Sequence, residues 1–214
     1  MIASRQAFCA TARELLSRID LRFGNLRWRH HGLGMLQAEL SEELRIHIWH
    51  PKLRTIPEDG YRDVHDHRFD LTSYVAFGEI IDTPVDVFFT DPYGNLGTDT
   101  TKAWSIVNAK AQERGEVHVK PLGAVSVRTS ESVVYKGGAS YSIARGRFHR
   151  TKVDGLALTL IHRGNFGEDQ ARVLGEIAHS AIVPEDVNTA TLQAHVIYEA
   201  DSALSDALAR WKAK

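Results

Sequence analysis

Between about residues 34 and 163 the chain is a succession of short apolar or alternating runs, each broken by glycine, proline or aspartate. Residues 44–49, 71–81, 85–89, 104–109, 124–127, 133–135, 141–144 and 157–162 all carry a strand pattern. Asp91-Pro-Tyr-Gly-Asn-Leu-Gly97 is a dense turn signal between two of them. Many short strands with regular turns predict a mainly β fold, either a closed barrel or a double-sheet jelly roll. Helices bracket it. Residues 4–19 place Phe8, Ala12, Leu15, Leu16 and Ile19 at helical spacing behind a Ser4 cap. Ser202 can cap a second helix presenting Leu204, Leu208 and Trp211. Residues 170–179 look helical, Pro184 interrupts, and residues 192–198 suit either state. The expected organisation is one domain over 1–214: a helical extension to residue 32, a barrel over 33–165, and a helical extension over 166–214.

Composition narrows the classes of function. With 26 basic and 27 acidic residues the net charge is −1, so the basic footprint of a nucleic-acid binder is missing and a small-molecule partner is expected. A single cysteine, Cys9, can make neither an internal disulfide nor a zinc–thiolate cluster; it is expected as a small apolar residue in a reducing, cytoplasmic setting. No secretory signal opens the sequence, and no run approaches the roughly 18 apolar residues of a membrane span. Sheet edges and amphipathic flanking helices make a homodimer the expected assembly. Against that one cysteine stand eleven histidines. Any metal site must therefore be built from nitrogen and oxygen.

His65-Asp66-His67 is the sharpest local feature. On a strand the period of two puts both imidazoles on one face, where they can share an ion, and sends Asp66 to the other. A chain this rich in histidine yields roughly 0.6 such pairs by chance, so context has to decide. The context is His-x-His-x3-Leu-x6-Gly, ending at Gly78, followed later by Ala144-Arg-Gly-Arg-Phe-His149.

Together these segments resemble the two motifs of the cupin superfamily. The resemblance implies a double-stranded β-helix, with His65, His67 and His149 as metal ligands, Gly78 closing the first motif and Gly146 turning the second. Gly60 lies one residue closer to the pair than the family's leading glycine. Leu71 stands where the family's glutamate ligand is expected, Thr72 holds the alternative spacing, and Ala144 replaces a proline. A cupin with three histidines and no glutamate resembles the cysteine-dioxygenase-like thiol dioxygenases. That resemblance implies Fe(II), with Zn, Mn or Ni as alternatives, and an iron oxygenase acting on a small polar substrate, with thiols among the candidates. An oxygen-independent isomerase, lyase or hydrolase is a second expectation, and a non-enzymatic ligand-binding barrel a third.

Asp70 and Glu79 are the acidic residues nearest the first motif and are weighed as substitute ligands or as groups supporting the ligands. Asp70 faces away from His67 on a regular strand unless a bulge reverses it, and Glu79 lies across a turn at Gly78. Arg45, His47 and Trp49 share one strand face. That face either lines the barrel, where Arg45 can hold a substrate carboxylate, or meets solvent. Tyr135 and Tyr141 are expected to line the barrel, Tyr141 against substrate. His162 shares a face with Leu156, Leu158 and Leu160 and is expected at the core or an edge. His30 and His31, in a locally basic stretch, are expected on a solvated surface or against an anion. His179 and His195 are expected on helices outside the barrel, without a role.

Overall fold

The computed structural model describes residues 5–22, 26–55, 61–89, 99–107, 118–168, 170–175 and 190–213; for 99–102, 104–107, 118–119 and 190 the backbone alone is described. The elements in chain order are α1 (Arg5–Leu16), β1 (Arg29–His31), β2 (Leu33–Glu39), β3 (Leu44–Arg54), β4 (Asp70–Phe77), β5 (Glu79–Phe88) and β6 (Asp99–Val107). There follow β7 (His118–Thr129), β8 (Val133–Lys136), β9 (Ser140–Ile143), β10 (Phe148–Lys152), β11 (Ala157–Gly164), β12 (Arg172–Leu174) and α2 (Ala190–Lys212).

Two antiparallel six-stranded sheets form. One runs β1-β2-β3-β11-β4-β9 and the other β10-β5-β7-β6-β12, with β8 pairing the start of β5. The segment around His65 bridges onto His149 of β10 and so belongs to the second sheet. From β3 the chain alternates between sheets: His65 segment, β4, then β5 with β7 and β8, then β9, β10 and β11. This alternation is the double-sheet jelly roll, one of the two folds the strand pattern allowed and the double-stranded β-helix the motif resemblance implied. The run at 71–81 breaks at Gly78, where the chain leaves β4 for β5. Gly78 has φ +76, and a Cβ there would fall 2.4 Å from the Leu156 carbonyl oxygen. Only glycine permits both the turn and the close approach.

The second sheet also closes on itself. His65 bridges to Val173 as well as to His149. The pairings β10–β5, β5–β7, β7–β6 and β6–β12 therefore return to the His65 segment as a ring. Val64, Val85, Ala103, Val125, Val127, Phe148 and Leu174 fill its interior. This ring corrects the expected helix over 170–179: residues 172–174 are strand β12, because Val173 and Leu174 complete the closure. The rest of that helix, with His179, lies outside the described residues apart from 170, 171 and 175, as do Ser4, Gly60 and the turn at Asp91.

Two further cores flank the first sheet. Its outer face carries Leu36, Ala38, Ile46, Ile48, Tyr74, Leu158 and Leu160, packed against Phe8, Ala12 and Leu16 of α1 and Val196, Ala200 and Leu204 of α2. Asp201 fixes α2 by accepting from Leu21 N at 3.0 Å and pairing with Arg22 at 2.6 Å. α2 spans both the ambiguous 192–198 segment and Ser202, so Ser202 is an exposed mid-helix residue and not a cap. α1 ends at Leu16, short of Ile19. His162 is half-buried and packs against the Phe8 ring at 5.8 Å; of the core and edge positions expected for it, it takes the core face, because β11 lies between β3 and β4. Between the sheets lies the other core, including Trp49, Phe69, Leu71, Val75, Ile80, Tyr141 and Ile161.

Candidate metal centre

Local extended backbone aims His65 and His67 into the jelly roll while Asp66, between them, points to the closed ring. There the Asp66 carboxylate accepts from Arg172 N and Nε, both at 2.6 Å. The turn at Gly146 (φ +74) delivers β10 and His149. Its amide donates to His67 O at 2.9 Å, joining the two histidine segments directly. His65 and His149 also exchange backbone hydrogen bonds of 3.0 and 2.9 Å.

The three rings meet. Their centroids are 4.9 Å apart for His65–His67, 4.6 Å for His65–His149 and 5.1 Å for His67–His149. One ligand nitrogen from each lies within 4.8 Å of the others. His65 Nδ1 donates to Asp63 O at 3.0 Å, which leaves Nε2 as its free lone pair. His149 Nδ1 is 2.6 Å from the buried Asp82 Oδ1, again freeing Nε2. The Nε2 atoms of His67 and His149 face each other at 3.0 Å. Burial, reinforced by His149, pushes His65 down to about 3, and burial, reinforced by His65, holds His67 well below the ordinary histidine range. Both are neutral at pH 7, as metal binding requires. Three ring nitrogens turned toward one another, with a second nitrogen hydrogen-bonded outward on two of the rings, fit a divalent transition-metal ion.

No carboxylate joins the trio among the described residues. Leu71 is buried in the core between the sheets, and Thr72 contacts Ser142 at 3.2 Å on an exposed surface. Asp70 accepts from Arg145 N at 2.8 Å and Asn165 Nδ2 at 2.6 Å, and those bonds lower its pKa. Glu79 is exposed and pairs with Lys136 at 3.0 Å. The expected supporting roles of Asp70 and Glu79 are corrected accordingly. Asp70 ties a loop, because no bulge turns it inward, and Glu79 sits past the Gly78 turn.

The face carrying Arg45, His47 and Trp49 lines the interior, because the alternate residues Ile46 and Ile48 take the helix-covered side. His47 is buried, both ring nitrogens lack a partner among the described residues, and burial followed by Arg45 holds its pKa well down. Arg45 pairs with Glu39 at 2.8 Å while its buried Nε is unpartnered among the described residues. Arg163 was not anticipated. It lies 3.8 Å from the same Glu39, its buried Nε is likewise unpartnered, and burial brings it down to about 10. Its guanidinium sits over the rings of Phe69 and Phe166, and Phe69 stacks on His67 at 5.2 Å. Tyr141 lies in the same core, stacked on Tyr135 at 4.3 Å, with burial raising its phenol. His31 is held in the sheet and burial pushes it down to about 4, so the solvated-surface expectation is corrected. His30 donates to Leu53 O at 2.6 Å.

Asp63 and Asp82 also escaped sequence reasoning. Asp63 takes Arg54 Nη2 at 2.6 Å and Arg150 Nε at 2.7 Å. For Asp82 a signal existed, since it shares a period-two face with the apolar Ile80.

Fold and site together define a double-stranded β-helix with a three-histidine centre inside it. No protein-family model matches the chain, and no curated protein matches it. Among solved structures, Drosophila melanogaster CENP-C bound to CAL1 is similar at 14% identity and TM-score 0.35, over 75% of this chain and 100% of that one. Fe(II) HppE is similar at 11% and 0.34, over 65% and 56%. Hydroquinone 1,2-dioxygenase from Sphingomonas sp. TTNP3 with 4-hydroxybenzoate bound is similar at 11% and 0.30, over 69% and 71%. Likeness this distant carries neither fold nor function; the jelly roll rests on strand order and pairing. No described helix is long and apolar enough to cross a membrane.

Proposed function

We propose that this protein is a mononuclear non-haem iron oxygenase acting on a small polar substrate, with thiols as the first class to test. The observation that carries the reading is the convergence of three imidazoles, a donor set that leaves coordination positions open on ferrous iron. Bound there, Fe(II) supplies Lewis acidity and a site for dioxygen. The chain's own groups do the rest. Asp63 O and Asp82 hold the His65 and His149 rings in orientation. Phe69 stacks on one face of His67 and holds its ring in orientation.

Arg45 and Arg163 share the Glu39 carboxylate, and Arg163 also donates to Glu42 O, so guanidinium charge gathers at this end of the interior. A substrate anion answers it, and His47 offers one donor and one acceptor beside it. Tyr141 closes part of the same interior. Arg45→Met should raise KM about tenfold with a smaller effect on kcat, since a charge-assisted hydrogen bond is worth about 1.5–3 kcal/mol.

The same three imidazoles suit zinc, and with Zn, Mn or Ni a Lewis-acid isomerase, lyase or hydrolase is the second reading. Elemental analysis of untagged protein, paired with oxygen uptake over a panel of small thiols and hydroxy acids, separates the two. Equimolar iron and substrate-dependent oxygen uptake, abolished in His149→Ala, is the expected result. Full turnover under nitrogen would transfer the assignment to the second reading. A folded protein that retains no metal and turns nothing over would leave a binding barrel.

A further inference from the structure

We infer that Asp82 supplies, through the His149 ring, the negative charge that the ligand set lacks, and so acts as a positioning and charge-setting residue of the metal centre. The inference rests on the metal reading above. Three carboxylates are buried around the histidine segments, Asp63, Asp66 and Asp82, at 1%, 3% and 6% exposure. A buried carboxylate needs a counter-charge, because removing an ion from water costs several kcal/mol even after relaxation. Asp63 has two, Arg54 and Arg150. Asp66 has Arg172. Asp82 has neither an arginine nor a lysine in ion-pair range among the described residues; its partner is His149 Nδ1 at 2.6 Å. The positive charge that balances it must therefore act through that imidazole, whose Nε2 faces His67.

The contrast within the trio points the same way. His65 donates its outer nitrogen to a backbone carbonyl, whereas the outer nitrogen of His149 meets a buried carboxylate. A carboxylate behind an imidazole fixes its tautomer and raises its donor strength. With Leu71 where a carboxylate ligand would stand, the centre keeps its anionic charge one residue further out. The register makes this possible: His149 pairs with Pro84 and Thr151 with Asp82, so Asp82 lies diagonal to the histidine on the same face of the sheet.

The test compares wild type, Asp82→Asn and Asp82→Ala as full chains, in competition titrations with Co(II) and Zn(II) and by the visible spectrum of the Co(II) form. Asparagine can still accept from Nδ1, so Asp82→Asn removes charge while keeping ring orientation. It should weaken metal binding about tenfold, and Asp82→Ala, which loses both, by up to about 100-fold. The Co(II) bands should shift in both, and the metal-induced rise in Tm should shrink. Unchanged affinity and an unchanged Co(II) spectrum in Asp82→Asn would overturn the inference while sparing the metal centre. Wild-type protein that binds neither ion would overturn both. Should Asp82→Ala fail to fold, the near-isosteric Asp82→Asn decides alone.

Discussion

The two faces of the first sheet are made by the same strands and differ in almost everything else. On β3 and β11, Ile46, Ile48, Leu158 and Leu160 face the helices and are fully buried in an apolar core. One residue along, Arg45, His47, Thr159 and Arg163 face the jelly-roll interior, and several of their polar atoms have no partner among the described residues. The period of two lets one strand contribute stability through alternate residues and chemistry through the others. The helix-covered face tolerates no polar group without a partner, while the interior carries cationic and titratable groups that ask for a ligand.

Substitutions can break that division of labour. The largest effect is expected for His149→Ala or His67→Ala. Metal content of the purified protein should fall to background while the circular dichroism spectrum is kept, because these side chains serve the centre and not the core. Leu160→Ala, on the opposite face, should do the reverse. At 0% exposure it should cost about 2–5 kcal/mol in urea unfolding and leave metal stoichiometry unchanged. Loss of metal in that variant would mean that the two faces are coupled.

An intermediate effect should come from pH. Burial, its leading cause in each, lowers His31 to about 4 and His47 well below 6.5, so the native state keeps them neutral where the unfolded chain protonates them. Below about 6.5 the unfolded state binds more protons, so stability of the metal-free protein falls as pH drops from about 6.5 toward 4. Urea midpoints measured from pH 7.5 to 4.5 should decline over that window, and more shallowly in His47→Phe. The smallest effect belongs to Glu79→Gln. Its exposed pair with Lys136 is worth under about 1 kcal/mol, and metal affinity should not move. Glu79 thereby serves as the surface control for Asp82, three residues away and buried.

The spacing of His65 and His67 made a shared face legible wherever the backbone is extended. His149 was brought in only by the motif resemblance around Gly146, since its approach to the pair spans 82 positions. Arg45 and His47 were half legible: alternation shows that two faces differ, but helices packed on the Ile46 side settle which one is interior. Asp82 was illegible in its role, since its contact with His149 spans 67 positions and depends on the register of β5 with β10. The helical expectation at 170–179 failed for a related reason. The strand preference of Val173 is a single-residue signal within a helical spacing pattern, and ring closure between β6 and the His65 segment recruits it with Leu174 as strand.

A motif resemblance supplied His149 and the missing glutamate at Leu71, while from the amino-acid order alone came the β class, the flanking helices and the shared face of His65 and His67. These follow from periodicities and spacings that act over a few residues. The closed ring, the inward turn of the Arg45 face, the Glu39 shared by two arginines and the carboxylate behind His149 came from tertiary packing. Each depends on strand pairing and burial between segments far apart in the chain, and a short-range pattern carries no information about which distant surface will cover it.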